Sequence, residues 1–238
     1  DAIRKKWLAG MPPCDTESRT LLGDFSPQSF RLVANPTQDD SAERLPETLR
    51  SIYGPTMYKQ ITFVVLLREP LARAQSWFYY GHVPSTVFQA SMEDQLSLAA
   101  NGWAGNPSSS AVWGSYYGHH LGEWLKSFDA SQFLIVPFKA FTSGDSSGIC
   151  QDLSQRLSFN MECGTMTTHR LAFGARHPSV EDDTTAEFRQ KWGEFFDPDK
   201  ELLVNLLAQG HTQGMGLAAY SGKAGDVEDV QKWLEQSW

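Results

Sequence analysis

Two side chains eight positions apart, Arg68 and Ser76, are the first pair in this chain whose types and spacing suit chemistry. Arg68 follows an apolar run, Ile61 to Leu67. Pro70 comes two residues later, and Leu71, Ala74 and Phe78 then fall on one helical face. Proline lacks an N–H and has a preset φ, so it suits the first turn of a helix. The pattern predicts a strand, a tight turn and a helix that starts at the carboxyl edge of a sheet. Free backbone N–H groups and the helix dipole favour an anion at such a place. Arg68 would add a fixed cation and Ser76 a hydroxyl donor. Arg73 reads either as a further cation or as a surface charge.

A second candidate lies in His169 to Pro178, HRLAFGARHP. Glycine and basic side chains in a loop let the backbone approach a phosphate closely. Asp24, in GDFSPQSF, could orient an acceptor hydroxyl or simply cap a turn with Ser26. His82, His119 and His120 have the right chemistry for a base, although histidines near aromatic helices are commonly packed or solvated.

Several elements must position these groups. Ile61–Leu67 is rich in β-branched residues and unbroken in its apolar character, as expected of a strand buried on both faces. Phe133–Phe138 reads as a second buried strand. Helices are predicted over Ser41–Tyr53, Pro70–Tyr80, Met92–Ala100, Trp113–Phe128 and around Ile149–Leu157. Three more follow over Thr184–Phe196, Pro198–Gln209 and Asp226–Trp238. A coarse strand-then-turn reading covers Thr20–Pro36, the end of a helix fits Asp1–Gly10, and the Gly, Asn, Pro and Ser-rich segment 101–110 reads as a connecting loop.

At 238 residues the chain suits one α/β domain, and 41% hydrophobic residues place it among globular rather than disordered chains. A formal net charge of −8 argues against general nucleic-acid binding and against a polybasic membrane anchor. No apolar stretch approaches the roughly 20 residues that a membrane span needs. The sequence opens on Asp1 without a leader-like stretch, which reads as a mature or partial chain. Cys14, Cys150 and Cys163 lack metal-ligand spacing. Cys150 and Cys163 could pair across a short loop, which would imply an oxidising compartment, or all three could be free thiols.

The order R-E-P-x-x-R-x-x-S over residues 68–76 resembles the 3′-phosphate-binding element of sulfotransferases that use 3′-phosphoadenosine 5′-phosphosulfate (PAPS). In that family the Arg that closes a strand and the Ser eight positions on contact the nucleotide 3′-phosphate. Glu69 stands where the family usually has Asp or Asn. Three further blocks carry the resemblance. GDFSPQSF resembles G-E-K-[ST]-P-x-Y-[FL], with Phe25 in place of the Lys. Residues 114–136 resemble the G-x-Y…L-x-x-[WY]-L block and the strand after it. The 174–178 loop resembles the G-R-R-[YH]-P-type loop of the heparan-sulfate-type branch, which closes over the nucleotide, with Ala175 in place of a basic residue.

The resemblance runs from near Leu21 to Leu207. It implies a three-layer α/β fold of the P-loop nucleotide-binding type, with a mostly parallel sheet and helices on both faces. One sulfotransferase-like domain would cover 1–238, with 210–238 as a carboxyl-terminal helical extension. The implied activity is sulfuryl transfer from PAPS, leaving 3′-phosphoadenosine 5′-phosphate (PAP), to a hydroxyl or amine, with no metal. The later blocks favour a carbohydrate acceptor; the acidity and Phe25 favour a small hydroxylated one. The nucleotide-binding residues would be Arg68, Ser76, Gly174, Arg176 and His177, and a Golgi lumen setting would follow for a carbohydrate acceptor. The family's 5′-phosphosulfate loop pattern does not occur in this sequence and no catalytic base is assigned. Two alternatives therefore stand beside the enzyme. One is a sulfotransferase-like domain that serves as an interaction or structural module with a protein partner. The other sets the resemblance aside in favour of a P-loop-type kinase or another nucleotide-binding α/β domain.

Overall fold

The computed structural model describes residues 29–33, 44–81, 88–100, 111–142, 147–158 and 184–238. Among these, three strands form one parallel sheet in the order β1 (Phe63–Leu67), β2 (Phe133–Pro137), β3 (Gly216–Leu217). Phe63 pairs with Phe133 and Leu67 with Pro137, while Leu134 and Ile135 pair with Gly216 and Leu217. Parallel neighbours require long crossovers, and helices supply them. In chain order these are α1 (Leu45–Met57), α2 (Pro70–Gly81), α3 (Phe88–Ala100), α4 (Tyr117–Leu125), α5 (Phe138–Thr142), α6 (Ser147–Leu157), α7 (Ala186–Thr212) and α8 (Val227–Ser237). The fold is mixed α/β, with far more helix than strand.

Side-chain hydrogen bonds fix the strand register at the amino edge. Buried Gln132 donates to Tyr58 O (2.8 Å) and Ile61 O (2.9 Å), tying the entry of β1 to that of β2. Arg156 does the same for the other pair, donating to Ser131 O at 2.5 Å and Gly214 O at 2.9 Å.

Alternation along the strands separates two faces. Val65, Leu67, Phe133, Ile135 and Leu217 point into the main core with Tyr117, Leu121 and Trp124 of α4, Leu203 and Leu207 of α7, and Trp233 and Leu234 of α8. Leu134 and Val136 point the other way, against Ile149 and Leu153 of α6. Helices thus cover both faces at β2. At β1 they do not: Val64 is 41% and Leu66 45% exposed. The run Ile61–Leu67 is therefore buried on one face only, which corrects the two-face expectation. A uniformly apolar strand carries no alternation from which the open face could be read.

The two helices predicted over Thr184–Phe196 and Pro198–Gln209 are one helix, α7, with Pro198 inside it. An internal proline costs about 3 kcal/mol. Packing offsets that cost, because the buried stripe Phe188, Trp192, Phe196, Asp199, Leu203, Leu207 runs unbroken across Pro198. The amino half of α7 packs with Ala74 and Phe78 of α2 and Phe88 and Met92 of α3 in a second core, and its carboxyl half lies in the main core. One continuous element bridges both cores. The carboxyl-terminal stretch is more than a helix: it contributes β3, and Met215, Val230, Trp233 and Leu234 are core residues. The expected helix over Trp113–Phe128 is shorter, because a 3₁₀ turn at Trp113–Ser115 precedes α4.

Candidate functional site

The carboxyl edge of the sheet is where β1 hands over to α2. Arg68 is half-buried there, and its backbone N–H points at the Tyr117 hydroxyl, 3.5 Å away. Its guanidinium carbon stands 5.3 Å above the Phe138 ring. Phe138 directly follows Pro137, the partner of Leu67, so Arg68 reaches sideways across the ends of two neighbouring strands. The aromatic face holds the cation by its quadrupole and leaves the planar fork at the edge.

The helix start itself is already occupied. Glu69 folds its carboxylate onto α2, accepting from Leu71 N (2.9 Å) and Ala72 N (2.6 Å). The first free N–H groups of a helix are its natural anion site, and here the chain fills them with its own carboxylate. This corrects the expectation of an anion seated on those amides. An incoming anion at this edge would depend on side chains.

Arg73 is the strongest such side chain, and it is not the surface charge that its position allowed. Within the first turn of α2, it is largely buried, and Nη1 donates to Ala111 O (3.1 Å) and Ser115 Oγ (3.4 Å). The guanidinium lies flat on the backbone of Gly114: a Cβ there would stand 2.4 Å from Nη2. Desolvation lowers its pKa, while the nearby Tyr117 opposes that shift. Burial in turn pushes the Tyr117 phenol up to about 12, with Arg73 and Arg68 pulling the other way. Arg31 belongs to the same neighbourhood. It is only 5% exposed and its guanidinium carbon lies 4.8 Å from the Trp77 ring centre. Trp113 Nε1 and Trp124 Nε1 hold its segment in place by donating to Arg31 O (3.4 Å) and Phe30 O (2.9 Å). Burial and the charge of Arg73 lower the Arg31 pKa to about 10.

A second helix start is filled in the same way. Asp199, from α7, accepts from Gly118 N (2.9 Å) and His119 N (2.8 Å) at the beginning of α4. Burial raises the pKa of this carboxyl and the two N–H bonds oppose the rise. The close approach needs Gly118, where a Cβ would stand 2.3 Å from Asp199 O.

The sequence-predicted residues divide as follows. Arg68 stands at the edge. Ser76 is exposed on α2, six residues beyond Pro70 and thus about 9 Å along the axis. Asp24, His82, Gly174, Arg176 and His177 lie outside the described residues. His120 is fully buried, its Nε2–H donates to Trp113 O at 2.8 Å, and desolvation drives its pKa down to about 3. It is a neutral packing residue against Trp113 and Phe30, which removes it as a base. His119 gives its backbone N–H to Asp199. Cys150 is disulfide-bonded, and the other two cysteines lie outside the described residues.

Sequence reasoning passed over Asp199, Ser115 and Arg31, and read Tyr117 as a core residue with a possible place at the cleft. Only Asp199 left a signal: an acid on the apolar stripe of α7, four residues before Leu203. A scan against protein-family models and a search of curated proteins returned no match.

Proposed function

We propose that the chain carries the nucleotide-gripping part of a PAPS-dependent sulfotransferase of the P-loop-type fold, acting on a hydroxyl or amine of a carbohydrate or small hydroxylated acceptor. The observation that carries this reading is the placement of Arg68. It ends a parallel strand at the carboxyl edge, directly before a helix, with its fork supported on Phe138. In the reaction the sulfur–oxygen bond to the nucleotide phosphate breaks while one to the acceptor oxygen or nitrogen forms. PAP leaves, and the acceptor proton passes to a base. The part of this chain is to hold the 3′-phosphate through Arg68 and Ser76, with Gly174, Arg176 and His177 closing over the nucleotide. The Cys150 disulfide suits an oxidising compartment, in keeping with a lumenal setting.

The second reading is a sulfotransferase-like domain without turnover that docks a protein partner. It is favoured by the carboxylate of Glu69 on the start of α2. Calorimetric titration of the full-length protein with PAP, PAPS and ATP separates these readings. The enzyme reading expects PAP and PAPS to bind in preference to ATP, and Arg68→Ala to weaken PAP by about 1.5–3 kcal/mol, the worth of a charge-assisted contact. Binding of neither PAP nor PAPS rejects the sulfotransferase. Unchanged PAP affinity in Arg68→Ala takes Arg68 out of the site.

A further inference from the structure

We infer that Phe138 is a positioning residue for phosphate binding: its ring holds the Arg68 guanidinium at the carboxyl edge of the sheet and leaves the N–H donors of that group for an anion. This role rests on the nucleotide reading proposed above and brings α5 into it.

Large apolar side chains usually serve the core. Phe138 does not. It is half-buried, joins none of the three apolar clusters and, among the described residues, meets no other aromatic ring. The group it does meet is Arg68. The guanidinium carbon lies 5.3 Å from the ring centre, inside the distance of about 6 Å over which a ring quadrupole attracts a cation. The backbone brings the two together. Leu67 pairs with Pro137, so Arg68 and Phe138 each stand one residue beyond the last couple of the β1–β2 ladder. Neighbouring strands lie about 4.8 Å apart, so the contact follows from register. Lys139 ties the first turn of α5 to α8 by donating to Gln236 O at 3.4 Å.

A carboxylate in the place of the ring would also hold the arginine, but it would occupy the fork and neutralise the charge. Among the described residues no carboxylate lies within ion-pair distance of Arg68. Glu69, next to it in sequence, gives its carboxylate to Leu71 N and Ala72 N. A ring takes none of the N–H donors in the plane of the guanidinium. It also restrains a side chain with many rotamers, so less freedom is lost when an anion arrives. The fork therefore stays charged, aimed and unspent, which is what bidentate phosphate recognition needs. The π face does this and apolar bulk does not, which separates tyrosine from leucine as replacements.

Calorimetric titration of the full-length protein with PAP tests the role. Phe138→Leu keeps the bulk and loses the π face. It should raise the Kd for PAP about three- to tenfold while Tm stays close to that of the parent. Phe138→Tyr keeps the ring and should stay within about twofold of the parent. In an Arg68→Ala background Phe138→Leu should have no further effect, a non-additivity that a merely structural role would not produce. If Phe138→Leu does not fold, Phe138→Met carries the same comparisons. Parent-like PAP affinity in Phe138→Leu overturns the inference. So does an equal loss with and without Arg68, or a loss in Phe138→Tyr as large as that in Phe138→Leu. A parent protein that binds neither PAP nor PAPS rejects the nucleotide reading and this role with it. A parent that binds PAP and is indifferent to loss of the ring rejects this role alone.

Discussion

Asp199→Ala tests the packing logic of the whole domain. In the native fold the carboxylate of Asp199, on α7, takes Gly118 N and His119 N at the start of α4, at 2.9 and 2.8 Å. Tyr116, the residue that would ordinarily cap that helix, makes no side-chain cap bond. Alanine would leave two N–H groups without an acceptor where Gly118 is buried and His119 partly so. Each stranded donor costs about 1–3 kcal/mol. Against this, removing the buried carboxylate relieves a desolvation cost, the same cost that raises its pKa. The net expected loss is about 2–4 kcal/mol, a fall in Tm of roughly 5–15 °C for a domain of this size. Asp199→Asn retains one acceptor oxygen and places an amide N–H₂ where the other stood, so it should lose about half as much. Asp226→Ala is the control. It removes a cap on α8 that accepts only Asp229 N, at 3.1 Å, and should cost about 1 kcal/mol. Urea denaturation followed by circular dichroism, read as midpoint shifts at constant slope, measures all three. If Asp199→Ala stays within about 0.5 kcal/mol of the parent, these bonds do not couple the two helices and the account of α7 is wrong.

Other expectations follow from the same geometry. Gly118→Ala should cost about 3 kcal/mol or more, because the new methyl meets the backbone of α7 at Asp199 O and Leu203 N; unchanged stability would mean that the helices can part at no cost. His120 has a pKa of about 3 in the fold against about 6.5 unfolded, so the unfolded chain binds the extra proton. This group is neutral in pH terms above about 6.5 and withdraws stability as pH falls from there toward 3, by up to about 5 kcal/mol in all. His120→Gln should flatten the stability–pH curve in that window, and parallel curves for variant and parent would refute the assignment. Glu69→Ala removes the carboxylate from Leu71 N and Ala72 N and should cost about 1 kcal/mol in denaturant titrations. The same variant should bind sulfate or PAP more tightly if the bared helix start becomes an anion seat.

Much of the architecture was legible beforehand because it follows from local pattern. The apolar runs at 61–67 and 133–138 marked two strands, Pro70 marked a helix start, and the stripe of α8 was plain. What escaped depends on contacts between distant segments. β3 is two residues long and exists only because Leu134 and Ile135 offer it partners. The continuity of α7 across Pro198 depends on two cores that the helix joins. At the candidate site, the position of Arg68 at a strand end was readable, whereas the burial of Arg73 was not. Nothing in R-E-P-x-x-R-x-x-S says that Ala111, Gly114 and Ser115 will fold onto that side chain from about forty residues away.

By itself, then, the order of residues determined the strand, the turn and the helix around Arg68, since hydrophobic period and the geometry of proline act within a few positions. Tertiary structure decided the electrostatics. It put the carboxylates of Glu69 and Asp199 on two helix starts, buried Arg73 against the backbone of Gly114, and made His120 a neutral core residue. Charge energies depend on distance and desolvation, and those quantities come into being only when remote segments pack together.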